Sequence, residues 1–314
     1  MKKLIKKITL TSLLLSIFVG CSATATEDNS VAITEPTEEI ATVEPSQEPT
    51  NEPSIEPINV RTMALKGPTA MGLVEFMNNA PNYTDNNYEF TITAAVDEVT
   101  SSIVKGNTDL AAVPANVASV LYNNTDGAVE VLGINTLGVL YIVESGDTIS
   151  SIEDLRGKTI YAPGKGATPE YALTYLLNEN GMEIGTDVFV EWKSEPAECL
   201  AVLSSTQNAI AMLPQPFVTT ATMKNENIQV RLDLTNEWNL LQEGKENPSS
   251  LVTGVIIGRK DFIEENPEVI NNYMDYYAKS VDYVNSNVEE AAELVGTYDI
   301  VPAQVAAKAI PNCN

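Results

Sequence analysis

A chain of 314 residues exceeds one average domain and suits two, and 44% hydrophobic against 19% charged residues excludes a wholly disordered protein. Eighteen Lys and Arg against 43 Asp and Glu leave a net charge of −25, a field that repels nucleic acid and anionic lipid headgroups. Histidine is absent, which removes Ser-His-Asp and Cys-His hydrolases, HExxH metalloproteases and His-ligated zinc; the sequence calls for no metal or cofactor.

Residues 1–21 carry Lys2, Lys3, Lys6 and Lys7, then an apolar run from Ile8 to Val19, then Gly20 and Cys21. This is the layout of a bacterial export signal, and the apolar run is too short to span a bilayer. Gly20-Cys21-Ser22-Ala23, with Phe18 where leucine is usual, resembles the lipobox of bacterial lipoproteins, in which the cysteine becomes the lipidated first residue. The alternative is an ordinary secretory signal with a chance cysteine. Residues 22–57 hold nine acids and no Lys or Arg, with Pro36, Pro45, Pro49, Pro53 and Pro57. Such an acidic, Thr/Pro-rich tract reads as a disordered tether that holds a globular body off a membrane.

From Ile58 short apolar runs alternate with amphipathic stretches, the signature of βα units. Ile58–Leu65 reads as a strand, followed by a helix with Thr69 at its cap and Met71, Val74, Phe76 and Met77 among its apolar positions; Tyr88–Val96 is the next strand, and Asp97 caps a helix through Lys105. Asp109–Val113 is a third strand, and Pro114 opens a helix to about Tyr122. The order returns with a helical turn at Ser151–Leu155, a strand at Lys158–Ala162 and a helix through Asn180, with Thr168 as cap and Pro169 at its first position. Strand Val188–Trp192, helix Pro196–Ser205, strand Ala209–Leu213 and a helix from Pro214-Gln215-Pro216 to about Lys224 complete it. Lys66 to Pro114 and Lys165 to Pro214 span 48 and 49 residues, so the pattern predicts two similar lobes. The apolar stretches Val129–Val143 and Leu251–Gly258 are the crossovers, giving lobe one as 58–138 plus 256–314 and lobe two as 139–255. The tail is helical, with Tyr273, Tyr276, Tyr277, Val281 and Val284 as a core stripe.

In open parallel sheets, ligands bind outside the carboxyl ends of strands, at helix N-termini. Four such ends converge if the lobes face each other: Lys66, Gly67, Pro68, Thr69 and Met71; Pro114 and Asn116; Gly164, Lys165, Gly166, Ala167 and Thr168; and Pro214 and Gln215. The two glycines around Lys165 let backbone N–H groups approach an anion, although the Walker A spacing is missing. A plain strand-to-helix turn is the alternative for either loop, a solvated residue for either lysine, and a surface cap for Asn116 or Gln215. Trp192 and Trp238 are candidates for stacking on a heterocycle or for core positions. Cys199 and Cys313 read as non-functional thiols, whose pairing is left open, and no catalytic pair stands out among the acids. These features predict a small ligand with an anionic or polar heterocyclic group.

Lys66-Gly67-Pro68-Thr69, Asp109-Leu110-Ala111-Ala112-Val113-Pro114, Ile152-Glu153-Asp154-Leu155-Arg156-Gly157-Lys158 and Met212-Leu213-Pro214-Gln215-Pro216-Phe217 resemble segments of ABC-importer substrate-binding proteins, in the group that includes alkanesulfonate, taurine and thiamine-pyrimidine-precursor binders. The resemblance runs from about Ile58 to the end. It implies a type II periplasmic-binding-protein fold, two α/β lobes joined by two hinge strands, that closes on a solute and delivers it to an ABC permease. With the lipobox-like Cys21, a lipid anchor replaces a periplasm, which points to a protein on the extracytoplasmic face of a Gram-positive cell, where a soluble receptor would diffuse away. Two other readings are a ligand-sensing surface lipoprotein without a permease and an enzyme on the same fold; relatives of the latter kind use an active-site histidine, which is missing here.

Overall fold

The computed structural model describes residues 56–313; the expected export signal, Cys21 and the tether as far as residue 55 lie outside the described residues. The first half begins with β1 (Asn59–Leu65), α1 (Pro68–Met71) and α2 (Val74–Asn79). The single helix expected there is broken at Gly72, where a Cβ would stand 3.1 Å from Val281. β2 (Asn87–Thr93), α3 (Val96–Val104), β3 (Leu110–Pro114), α4 (Ala115–Asn124) and β4 (Val129–Leu137) follow. Asp97 falls in the first turn of α3, not at its cap, which is Ala95.

The second half runs β5 (Leu140–Glu144), β6 (Thr159–Pro163), α5 (Thr168–Glu179), β7 (Phe189–Lys193), α6 (Pro196–Ser205), β8 (Ile210–Pro214), α7 (Phe217–Lys224), β9 (Gln229–Asp233) and α8 (Leu234–Gln242). A 3-10 turn at Ile152–Leu155 leads into β6 and carries a reciprocal Ser151/Asp154 capping box. The chain then returns through β10 (Val252–Arg259) to α9 (Lys260–Glu265), α10 (Pro267–Ser286), α11 (Val288–Thr297) and α12 (Ala303–Ala309).

Two five-stranded sheets result, ordered β2-β1-β3-β10-β4 and β7-β6-β8-β5-β9. Both are mixed. The βα units supply the parallel strands, while β10 runs antiparallel to β3 and β4, and β5 antiparallel to β8 and β9. β10 pairs in the first sheet from Val252 onward, ahead of the break expected at residue 256.

Alternation along the strands fills two cores per sheet. In the first, Val60, Ala64 and Ile256 face α2 and the tail helices, whereas Met63, Leu65 and Val255 face α3 and α4. The tail stripe is core, since Tyr273 and Tyr277 are buried and Phe76 packs edge-on against Tyr88 and Tyr273 with ring centroids 5.1 Å apart. In the second sheet, Ile142, Ile160 and Met212 face α5 and α8, and Val143, Ala211 and Leu213 face α6 and α7. Buried carboxylates brace the strands. Asp109 accepts from Arg61 Nε at 2.9 Å and Nη2 at 2.6 Å, tying the start of β3 to β1.

The chain passes from the first sheet to the second through Gly138 and Val139, both at positive φ (68° and 63°). Gly138 suits this backbone, and a Cβ there would also collide with the Thr235 side chain. Val139 is a buried β-branched residue in the same region, so the crossing holds strained backbone. Gly138 N–H donates to Leu251 O at 2.7 Å, joining the outgoing and returning connections.

Candidate functional site

The carboxyl ends of β1, β3, β6 and β8 carry the sequence-predicted residues. Asn116, in the first turn of α4, accepts from the Thr168 N–H at 3.3 Å and from the Thr168 hydroxyl at 3.1 Å, in the first turn of α5. One amide oxygen thus joins the two lobes. Thr168 is the first residue of α5 with Ala167 at the cap, one position off the expected register. Gly164 and Gly166 take φ of 82° and 74°, conformations that only glycine adopts cheaply.

Several groups expected to meet a ligand are already bonded within the protein. The Gly166 N–H donates to the Glu170 carboxylate. Lys66 Nζ lies 2.6 Å from Asp299, whose side chain is 94% exposed; hydrogen bonding and charge from this lysine hold the Asp299 carboxyl below its ordinary range. Lys165 is exposed. Gln215 is buried, with its side-chain oxygen accepting from Thr219 N–H at 3.3 Å and Oγ1 at 2.8 Å, and its backbone N–H donates to Val139 O at 2.9 Å. It braces the crossing between the lobes.

On the first lobe, Gly67 at φ 124°, not the expected Thr69, caps α1, and Pro68 opens it, which places Thr69 inside the helix. Met71 is buried in the core, and Thr69 Oγ1 donates back to Leu65 O at 3.0 Å. Pro114 and Pro214 end their strands opposite Gly254 and Leu140. Trp238 donates to Ser249 O at 3.0 Å and packs on Tyr175; with Trp192 it borders the second lobe's core. Cys199 and Cys313 are free thiols belonging to different cores, and burial pushes them up to about 11 and about 12.

The crossover strands add residues that sequence reading left out. Asn135 Nδ2 donates to Thr69 O at 3.3 Å, and burial pushes the Tyr277 hydroxyl up to about 12. Tyr141, pushed up to about 12 chiefly by burial and then by Asp233, donates to Asn312 O at 3.4 Å. Gly254 was the available signal, because glycine inside an apolar strand marks close approach. A Cβ there would stand 2.5 Å from Asn135 Oδ1, 2.7 Å from Thr136 Oγ1 and 2.8 Å from Thr69 Cγ2. Gly254→Ala should therefore cost about 1–3 kcal/mol in denaturant unfolding. Gly133→Ala, whose nearest neighbour is the flexible Met274 end at 3.3 Å, should cost less; equal losses would refute the crowding argument.

Two lobes with facing βα turns and two crossing connections form a recognisable frame, and residues 83–291 match the NMT1/THI5-like family. The chain belongs to the NMT1/THI5-like family. A Brucella abortus (strain 2308) protein described as a candidate binding protein is 22% identical over 178 residues, 57% of this chain and 52% of the relative. The chain thus matches about half the length of its Brucella relatives. The E. coli periplasmic aliphatic sulphonate binding protein SsuA superposes with a TM-score of 0.66 at 16% identity, covering 82% of this chain and 84% of SsuA. An ABC transporter protein from Parabacteroides distasonis gives 0.65 at 19%, with the same two coverages. At these identities the likeness establishes the fold, the two-lobed periplasmic-binding-protein architecture. Among the described residues no helix is long and apolar enough to cross a membrane.

Proposed function

We propose that this NMT1/THI5-like chain is the substrate-binding lipoprotein of an ABC importer: it captures a small polar organic solute between its lobes and hands it to a permease. The observation that carries this reading is the meeting of the α4 and α5 N-terminal turns through Asn116 and Thr168, beside a strained crossing on which lobes can swing. The names of SsuA and the P. distasonis protein support it. Binding, not catalysis, is the activity, and closure is stabilised only as far as the solute touches both lobes. The solute carries an anionic or polar heterocyclic group, contacted from Gly164–Thr168 on one side and Lys66–Met71 on the other.

Native mass spectrometry of the full chain, purified without denaturation, tests the reading. A small organic solute released on denaturation is expected; protein that stays bare across a panel of sulfonates, carboxylates and heterocycles would overturn it. Anchoring through Cys21 is a separate expectation. Cys21→Ala should release the protein into the medium, and an unlipidated wild type starting at another residue would refute the anchor.

A further inference from the structure

The Asn116–Thr168 contact joins residues 52 apart in sequence and in different lobes. Its geometry fixes the amide orientation. The Thr168 N–H is a donor, so the Asn116 atom facing it must be the carbonyl oxygen, which also accepts the hydroxyl. That oxygen sits at the N-terminus of α5, a helix of 12 residues, where the helix dipole favours an acceptor. Asn116 is itself held in the first turn of the ten-residue α4, whose Val117, Ala118 and Leu121 are buried. Both partners are therefore anchored on packed elements, and the bond reports lobe position more than side-chain freedom.

We propose that Asn116 and Thr168 form an autoinhibitory latch, a direct bond that holds the two lobes together and must break before solute can reach the α5 N-terminus. The consequence for capture rests on the solute-binding reading; the latch itself does not. A latched form competes with the open form, so the apparent dissociation constant rises as the open fraction falls. Another hydrogen bond between the lobes, Tyr141 to Asn312 at 3.4 Å, is longer and involves the 3-10 turn Ile310–Asn312, and it provides a control. Lys66 and Asp299 cannot serve as the latch, because both precede or follow the second lobe in sequence and belong to the first.

Hydrogen exchange on the ligand-free full chain tests this without any solute. Among the described residues the Thr168 amide donates to Asn116 alone, so Asn116→Ala should speed its exchange about tenfold or more, while Leu173, Leu176 and Leu177 inside α5 stay slow. Small-angle scattering should then show a larger radius of gyration. Asn116→Asp keeps an acceptor and should keep Thr168 slow, and Tyr141→Phe should leave that amide unchanged. Wild-type exchange in Asn116→Ala overturns the latch, as does fast exchange in Asn116→Asp. If Asn116→Ala loosens all of α5, Thr168→Val decides, since it removes one of the two bonds and leaves the backbone donor: faster exchange confined to the first turn supports the latch, and unchanged exchange overturns it. A bare protein in mass spectrometry would remove the solute-binding reading yet leave these exchange results standing.

Discussion

Glu144→Ala should lower unfolding stability by about 3–5 kcal/mol, the range for breaking a buried charged network by removing one partner. The Glu144 side chain is 0% exposed. It accepts from Thr148 N–H at 3.0 and 2.8 Å, from Thr148 Oγ1 at 2.6 Å and from Ile149 N–H at 3.1 Å, with Arg231 Nε at 3.5 Å. Alanine leaves those donors without their acceptor and leaves Arg231 with Asp147, at 3.0 Å, as its acid partner. Glu144→Gln should fall between, since its amide places an N–H where donors already point. Both tryptophans, Trp192 and Trp238, border the second lobe's core, so tryptophan fluorescence during denaturation isolates the lobe that Glu144 braces. Glu179→Ala, which removes an exposed pair with Lys245 at 3.6 Å, should change stability by less than about 1 kcal/mol. A Glu144→Ala loss no larger than this control would show that the network is not a brace.

The elements that sequence reading found are those with strong local punctuation. Pro196 opens its helix as expected, and Thr168-Pro169 located α5 to within one residue. β9 and α8 were missed because Gln229–Asp233 is an edge strand whose only buried side chain is Leu232, so it lacks the apolar run that marked its neighbours. The antiparallel hinge strands were seen as apolar stretches, but strand direction is set by tertiary pairing and leaves no mark on such a run. At the site, helix starts were legible and bonding partners were not. Nothing near Lys66 in sequence announces Asp299, and nothing near Thr168 announces Asn116; each pairing is fixed by how the chain returns. Glu170 was the missed local signal, an acid in the first turn of α5 able to reach back to the Gly166 N–H.

Lys66→Ala and Lys165→Ala should each weaken binding of the co-purified solute roughly ten- to hundredfold in calorimetry, the effect of losing one charge-assisted hydrogen bond. The structure sharpens this for Lys66, because its ammonium group already holds Asp299 at 2.6 Å. An anionic solute must compete with that carboxylate, so Asp299→Asn should tighten binding while Lys66→Ala weakens it, and the two changes together should resemble Lys66→Ala alone. Asp299 is nearly fully exposed, so added salt should screen the competition and narrow the gap between Asp299→Asn and wild type. Lys279, whose Nζ lies 5.5 Å from the Tyr276 ring centre on the tail helix α10, supplies a lysine control without a cleft role. If Lys66→Ala, Lys165→Ala and Lys279→Ala all bind like wild type, the two loops are ordinary strand-to-helix turns. Weaker binding in Asp299→Asn than in wild type would separately indicate a cationic or donor-rich solute, since the carboxylate would then be a contact and not a competitor.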